Sequence, residues 1–217
     1  MKSDINIQRD VEAELHWSPD IDDREIAVKV NEGIVSLTGF TGSYFEKYQA
    51  ENAAKRVAGV AGVADELQVR VPADTGLDDP GIAHVAVAAL KTSLAAAADG
   101  IKVLVSAGHV TLEGSVEWYF QRERAEAAVR PLKGVRILNN HIRIEPRVQP
   151  VDIKHRIEEA FRRSADIDAG SITVVAEGGR VTLGGRVHSW AERMQAQDTA
   201  WSAPGVRTVQ NNISVGA

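Results

Sequence analysis

Apolar positions along the 217-residue chain switch between two spacings, and the order of spacings repeats three times. Helical spacing opens each repeat: Ile7, Val11 and Leu15; then Ile82, Ala86, Ala89 and Leu90; then Ile153, Ile157, Ala160 and Phe161. Residues three and four apart share a helix face, so each set predicts one buried stripe. Asp4 and Asp79 fall where N-caps belong, with Pro80 at a first helical position, and Asp152 is placed to cap the third helix. A spacing of two follows. Ile26, Val28 and Val30 match Ile101, Val103 and Val105, and match Ile172, Val174 and Ala176, which predicts one inward strand face. The other face is mixed: Ala27 and Lys29, Lys102 and Leu104, Thr173 and Val175.

Short connections come next, Asn31-Glu32-Gly33, Ser106-Ala107-Gly108 and Glu177-Gly178-Gly179. They predict hairpins, because Gly reaches positive φ without a Cβ clash. A second strand points Val35 and Leu37, Val110 and Leu112, or Val181 and Leu183 inward and ends at Gly39, Gly114 or Gly185. A second helix turns Ala50, Ala53 and Val57, or Ala125, Ala128 and Leu132, or Ala196 and Ala203 toward the sheet. Gly-Val at 59–60, 134–135 and 205–206 then introduces a third strand. Its inward residues are Val60, Val63, Leu67 and Val69; Val135, Leu138, Ile142 and Ile144; Val206, Val209, Ile213 and Val215.

Residues 7–69, 82–144 and 153–215 superpose without insertion, so the order αββαβ occurs three times. The expected fold class is α+β, with units at 1–71, 78–146 and 149–217. A strand–helix–strand crossover is right-handed, which places strand three parallel to strand two. Each unit is then a three-stranded mixed sheet covered on one face by two helices. The other face carries Ser36, Thr111 and Thr182 with Gln68, Arg143 and Ser214, and Leu104 and Val175 interrupt its polarity. Those two are candidate contacts to a neighbouring unit or a partner. About 60 residues bury only about 60% of their unfolded surface, so the units are expected to touch. Pro and Gly in the connectors 70–81 and 145–152 predict restricted relative motion.

Composition narrows the chemistry. There is no cysteine, which removes disulfides, iron–sulfur clusters and thiolate zinc sites. Net charge is −5, too small for a general nucleic-acid binder, yet it is unevenly spread. Residues 1–80 hold 8 Lys/Arg against 16 Asp/Glu, whereas residues 122–163 hold 11 against 6. His16, His84, His109, His141, His155 and His188 lack the three- or four-residue spacing of a helical metal site. Gly178-Gly179 joins two strands, with no helix following it, so it reads as a hairpin turn and not a phosphate loop. No Gly-x-Ser-x-Gly elbow or paired acid and base stands out. The chain is read as non-catalytic, without cofactor or metal. The first residues lack an apolar core of signal-peptide length and no stretch reads as a membrane span, so a cytoplasmic location is expected, or a periplasmic one if the true start lies upstream.

Aromatic residues add one regularity and two exceptions. Tyr44, Tyr119 and Trp190 are aligned at the start of each second helix and read as core plugs. Trp118 and Trp17 have no aromatic counterpart in the other repeats and are candidate anchors at a bilayer interface or between units. Lys154, Arg156, Arg162 and Arg163 on the third opening helix are candidates for attracting anionic lipid, against Glu158 and Glu159.

The recurring Gly-x-Val-x-Leu-x-Gly, as in Gly179-Arg-Val-Thr-Leu-Gly-Gly185, followed by Gly205-Val-Arg-Thr-Val-Gln-Asn-Asn-Ile-Ser-Val215, resembles the BON domain, named for bacterial osmotically inducible and nodulation proteins. The resemblance covers all three units. The first departs from it with Asp65-Glu66 where the others have Asn140-His141 and Asn211-Asn212. It implies an αββαβ fold and a role in binding phospholipid or stabilising the envelope under osmotic stress, with an anionic phospholipid surface or envelope and stress proteins as partners. The alternative is a soluble protein-interaction or holdase-like module acting through Leu104 and Val175.

Overall fold

A computed structural model describes residues 2–71, 77–146, 152–164 and 169–216. The first unit runs α1 (Asp4–Trp17), β1 (Ile26–Asn31), β2 (Ile34–Thr41), α2 (Tyr44–Arg56) and β3 (Gly62–Val69). The second runs α3 (Asp79–Leu94), β4 (Ile101–Ser106), β5 (His109–Val116), α4 (Tyr119–Val129) and β6 (Ile137–Ile144). The third runs α5 (Ile153–Arg163), β7 (Ile172–Glu177), β8 (Arg180–Val187) and α6 (Trp190–Trp201), and its last strand is split into β9 (Thr208–Asn211) and β10 (Ser214–Val215). Residues 72–76 and 147–151, within the two connectors, lie outside the described residues.

Three separate mixed sheets result, each with its second strand in the middle, antiparallel to the first and parallel to the third. Register is conserved between units: Val35 faces Val63, Val110 faces Leu138 and Val181 faces Val209. The predicted helix stripes Ile7, Val11 and Leu15, Ile82, Ala86 and Leu90, and Ile153, Ile157 and Phe161 are all buried against these sheets. By length and composition alone, the 22 residues Asp79–Gly100, with mean hydropathy 1.4 over an 18-residue window, would suffice to cross a membrane. Here the stretch breaks at Ala95 (φ 49°), and its stripe is spent on the second unit's core.

Each middle strand runs two residues past the glycine expected to end it, and that glycine is demanded by sterics. A Cβ on Gly39 would sit 1.9 Å from the carbonyl oxygen of Glu25, and on Gly114 or Gly185 it would sit 2.0 or 2.1 Å from that of Gly100 or Ser171. Two backbones touch there, and φ of 116–125° excludes a side chain independently.

The hairpin turns explain the aspartates. Both central residues have positive φ in Glu32-Gly33, Ala107-Gly108 and Gly178-Gly179, the geometry of a two-residue type I′ turn. A non-glycine residue in the first position is strained by about 1 kcal/mol or more. Asp4 offsets this in the first unit: its carboxylate accepts from Glu32 N–H at 2.8 Å and Gly33 N–H at 3.0 Å. Asp79 does the same for Ala107 and Gly108, at 2.7 and 2.9 Å. Neither is therefore the expected N-cap. That position belongs to Ser3 in α1 and to Asp78 in α3, which accepts from Gly81 N–H at 2.9 Å. Asp152 does occupy the N-cap position of α5, but in a left-handed conformation and without a side-chain bond to the helix. In the third unit the residue aligned with Asp4 and Asp79 is Pro150, which has no carboxylate, and there the turn is Gly-Gly.

Removing the clasp should therefore expose the strain. Asp79→Ala is expected to lower unfolding stability by about 1–2 kcal/mol, and adding Ala107→Gly should recover part of that loss. Urea unfolding of the two variants measures both; no recovery would show that the carboxylate acts elsewhere.

Candidate functional site

Each second helix starts from a fixed cap. Ser43 Oγ accepts from Glu46 N–H at 3.1 Å, while Glu46 accepts in return from Gly42 and Asp22 N–H, both at 2.7 Å. Ser189 and Glu192 repeat the reciprocal pair in α6. In α4 the cap position is Trp118, and Gln121 Oε1 alone accepts from Glu117 and Trp118 N–H, each at 3.0 Å. The far side of the helix is tied to the third strand. Asn140 Oδ1 accepts from Ile142 N–H at 3.2 Å while its amide nitrogen donates to Arg122 O and Glu126. Asn211 makes the matching set with Ile213, Arg193 and Gln197. Asp65 keeps the first bond, to Leu67 N–H at 3.0 Å, but has no N–H to donate; Lys47 instead pairs with it at 3.3 Å and donates to Leu67 O. The first unit's departure from the family pattern thus lies in a strand and is balanced by Lys47, whose aligned counterparts Arg122 and Arg193 also donate to third-strand carbonyls.

These anchored helices bring three aromatic residues onto neighbouring units. Tyr44 packs on the core of the second unit, with its hydroxyl 3.5 Å from Leu138 O, and the Arg130 guanidinium lies 3.5 Å above the Tyr48 ring. Tyr119 stacks on Trp201 of the third unit, centroids 4.5 Å apart and planes 4° from parallel. Trp190 packs on the core of the first unit, with Lys55 Nζ 5.8 Å from its ring. Aligned aromatics 44, 119 and 190 thus each reach a neighbouring unit, and the residues met at the three joints, Arg130 over Tyr48, Trp201 on Tyr119 and Lys55 beside Trp190, are themselves aligned. First touches second, second touches third, and third touches first: the units close head to tail around a pseudo-threefold. The expected core plugs are joints between units. The cores of the second and third units run together as one cluster.

The joint between the second and third units carries a half-buried tyrosine beside more exposed carboxyls. Burial first, and then the nearby Glu123 charge, holds the Tyr119 hydroxyl above its ordinary range. Burial likewise pushes up Asp198, and Glu123 is raised first by burial and then by the Glu126 charge. Arg122 and Arg130 act the other way on Glu123 without reversing the direction. These acids do not converge on a reaction centre. Among the described residues no group of three or more His, Asp or Glu is placed to hold a metal.

The residues singled out from sequence do not form one site. Trp17 ends α1 in the first unit and is 84% exposed. Trp118 is half-buried at the start of α4 in the second. Leu104 and Val175 hold aligned places on the open sheet faces of the second and third units and stay 49% and 55% exposed. Units meet through helices and not through these faces. Lys154, Arg156, Arg162 and Arg163 do cluster, all exposed on α5. Sequence reading missed the joint receivers Lys55, Arg130 and Trp201; their alignment with one another was the available signal.

Two outcomes test the joints. In a double-mutant cycle, Tyr119→Ala and Trp201→Ala should couple by about 0.5–1.5 kcal/mol, and strict additivity in urea unfolding would contradict the stacked contact. The raised carboxyls fix a sign for pH. A carboxyl whose folded pKa exceeds its unfolded one has its stabilising share in full below the unfolded value, near 3.8 for Asp198 and 4.5 for Glu123, and loses it as pH rises through the folded value. Glu123→Gln with Asp198→Asn should therefore gain stability over the parent between about pH 4 and pH 7, with little difference at about pH 3.5. Urea midpoints across that range decide it; a pH-independent difference would contradict the assignment.

Comparison with known proteins agrees with this architecture. The BON domain family model matches residues 3–71, 78–146 and 151–217. Osmotically-inducible protein Y of Escherichia coli (strain K12) is 29% identical over 144 residues, covering 64% of this chain and 72% of that protein. The structure of CdsD, a structural protein of the type III secretion system of Chlamydia trachomatis, aligns over 96% of this chain and 91% of that one at 16% identity, with a TM-score of 0.27. Its C-terminal domain aligns over 100% of both chains at 15% identity and 0.28. Superpositions at those scores establish no shared arrangement. The relative overturns the cytoplasmic location expected from the sequence and points to the periplasm. That expectation rested on the lack of an apolar leader in the residues at hand, which is no measure of where a mature protein resides. Proteins of this kind are not known as enzymes. With three tandem αββαβ units matched over nearly the whole chain, the protein belongs to the BON domain family.

Proposed function

We propose that this is a non-catalytic, peripheral phospholipid-binding protein acting in osmotic or envelope stress, and that α5 is its contact with anionic lipid. The observation that carries the reading is a divergence among helices that the fold treats as equivalent. α1, α3 and α5 bury matching apolar stripes, so folding makes the same demand of each. Their outer faces differ. α1 holds Asp4, Asp10, Glu12 and Glu14 against Arg9. α3 is nearly uncharged, with Val85 and Val87 exposed beside Lys91. α5 holds Lys154, Arg156, Arg162 and Arg163 against Glu158 and Glu159.

Internal pairing leaves the cationic excess of α5 standing. Lys154 lies 3.7 Å from Glu158, and His155, not one of the four cations, takes Glu159 at 3.3 Å. Each basic residue held near an anionic leaflet contributes about 1 kcal/mol, and that attraction weakens with salt. The name of the Escherichia coli relative supports the stress setting. The alternative, a soluble protein-interaction or holdase-like module, is supported by the exposure of Leu104 and Val175 on the open sheet faces.

Co-sedimentation with phosphatidylglycerol vesicles separates the two. Binding is expected at low salt, with a loss of at least about tenfold for the combined Arg156→Glu, Arg162→Glu and Arg163→Glu variant and no change for Leu104→Asp or Val175→Asp. Folded parent protein that fails to sediment at low salt removes the lipid reading and leaves the interaction module.

A further inference from the structure

The third unit departs from its sisters at the seam between its two helices. A groove of about 410 Å³ runs there, lined by Arg156, Glu159, Ala160 and Arg163 of α5 and by Thr199 and Ser202 at the end of α6. In the first unit the positions aligned with Ala160 and Ser202 are Glu14 and Arg56. Those two bridge the helices, with Arg56 Nε and Nη2 lying 3.0 and 2.9 Å from Glu14 Oε1. Small residues replace that ion pair in the third unit, and the polar lining is its own. Arg156 and Arg163 align with Asp10 and Trp17 in the first unit and with Val85 and Thr92 in the second, while Thr199 aligns with Ala53 and Ala128. The shared fold therefore asks for none of these polar groups.

The lining offers both halves of a hydrogen-bond match. Donors come from Arg156 and Arg163, two turns apart on one face of α5 and not ion-paired among the described residues. A guanidinium presents a planar fork of N–H groups that fits phosphate oxygens. Acceptors come from the other wall and from Glu159. The Thr199 hydroxyl donates to Gln195 O and the Ser202 hydroxyl donates to Asp198 O, both at 2.8 Å, so each oxygen keeps lone pairs for a further donor. Glu159, 3.3 Å from His155, adds a carboxylate. A ligand that only accepts leaves these oxygens unmatched. One with phosphate at one end and O–H or N–H groups at the other meets both sets.

We propose that this groove seats the head group of a single phospholipid, a phosphodiester whose alcohol carries hydroxyl or ammonium hydrogens, as glycerol and ethanolamine do. Arg156 and Arg163 hold the phosphate, and Glu159, Thr199 and Ser202 receive the hydrogens of the alcohol. The inference rests on α5 as the lipid contact and adds to that long-range attraction a stoichiometric seat selective for head-group chemistry.

The whole labelled protein, followed by amide chemical shifts, is titrated with dihexanoyl phosphatidylglycerol and dihexanoyl phosphatidylethanolamine below their micelle concentrations. Saturable shifts are expected at Glu159, Ala160, Thr199 and Ser202. Dihexanoyl phosphatidylcholine, with the same phosphate and no O–H or N–H, should bind at least about tenfold more weakly, because the acceptors then go unmatched. Ala160→Glu combined with Ser202→Arg installs the ion pair of the first unit and fills the groove at constant net charge, so it should abolish saturation without weakening long-range attraction. Absence of saturable shifts in the parent, shifts centred elsewhere, equal binding of the choline lipid or undiminished binding by the double variant would overturn the seat. Parent protein that sediments with phosphatidylglycerol vesicles yet shows no such shifts overturns the seat alone and leaves α5 as the lipid contact. Deacylated glycerophosphoglycerol separates the sources: affinity equal to that of the lipid assigns the groove to a soluble ester and overturns its assignment to a membrane. If the double variant does not fold, the shift map of the parent and the choline comparison decide the matter.

Discussion

The contact on which the rest of the molecule rests is made by Tyr44, Tyr119 and Trp190, each reaching from the first turn of a second helix onto the next unit. A unit of about 60 residues is marginal alone, because too little of its surface is buried on folding. The second helix resolves this by working on two sides. Ala50, Ala53 and Ala54 let α2 lie close on its own sheet, while Tyr48 and Lys55, half-buried, meet the neighbours. Small residues inward and aromatic or cationic residues outward are therefore two halves of one requirement.

Head-to-tail contacts close only when the rotation between units returns to its start, and here three steps suffice. The joints are chemically unequal: a stacked pair between Tyr119 and Trp201, a guanidinium over Tyr48, and a more distant ammonium beside Trp190, whose Nε1 is buried without a partner among the described residues. A stacked pair and a close guanidinium both outrank an ammonium at 5.8 Å. The weakest ring contact thus falls at the joint between the third and first units.

Most of the fold was legible because it follows from spacing that acts within one element. Stripes at Ile7, Val11 and Leu15, alternation at Val35 and Leu37, and Gly39 near the end of its strand each state a local demand, and three repetitions removed ambiguity. What was illegible spans elements. Asp79 reads as a cap because capping is local, yet its partners lie at 107 and 108, brought there only by the fold. Tyr119 reads as a plug because its receiver, Trp201, belongs to another unit. Of the proposed contact residues, only the cations of α5 were already adjacent in sequence, and only they form a cluster.

A ring of equivalent units has a consequence for where function can sit. Any residue the scaffold needs must recur in all three units or be replaced with compensation, as Lys47 compensates for Asp65 and Gly178 for the missing carboxylate. Residues that diverge without compensation are free of the scaffold and open to selection for something else. The outer faces of α1, α3 and α5 diverge in this way, whereas the inward stripes do not. Broken symmetry, more than any individual motif, therefore marks the surface with work to do: a basic helix on the third unit.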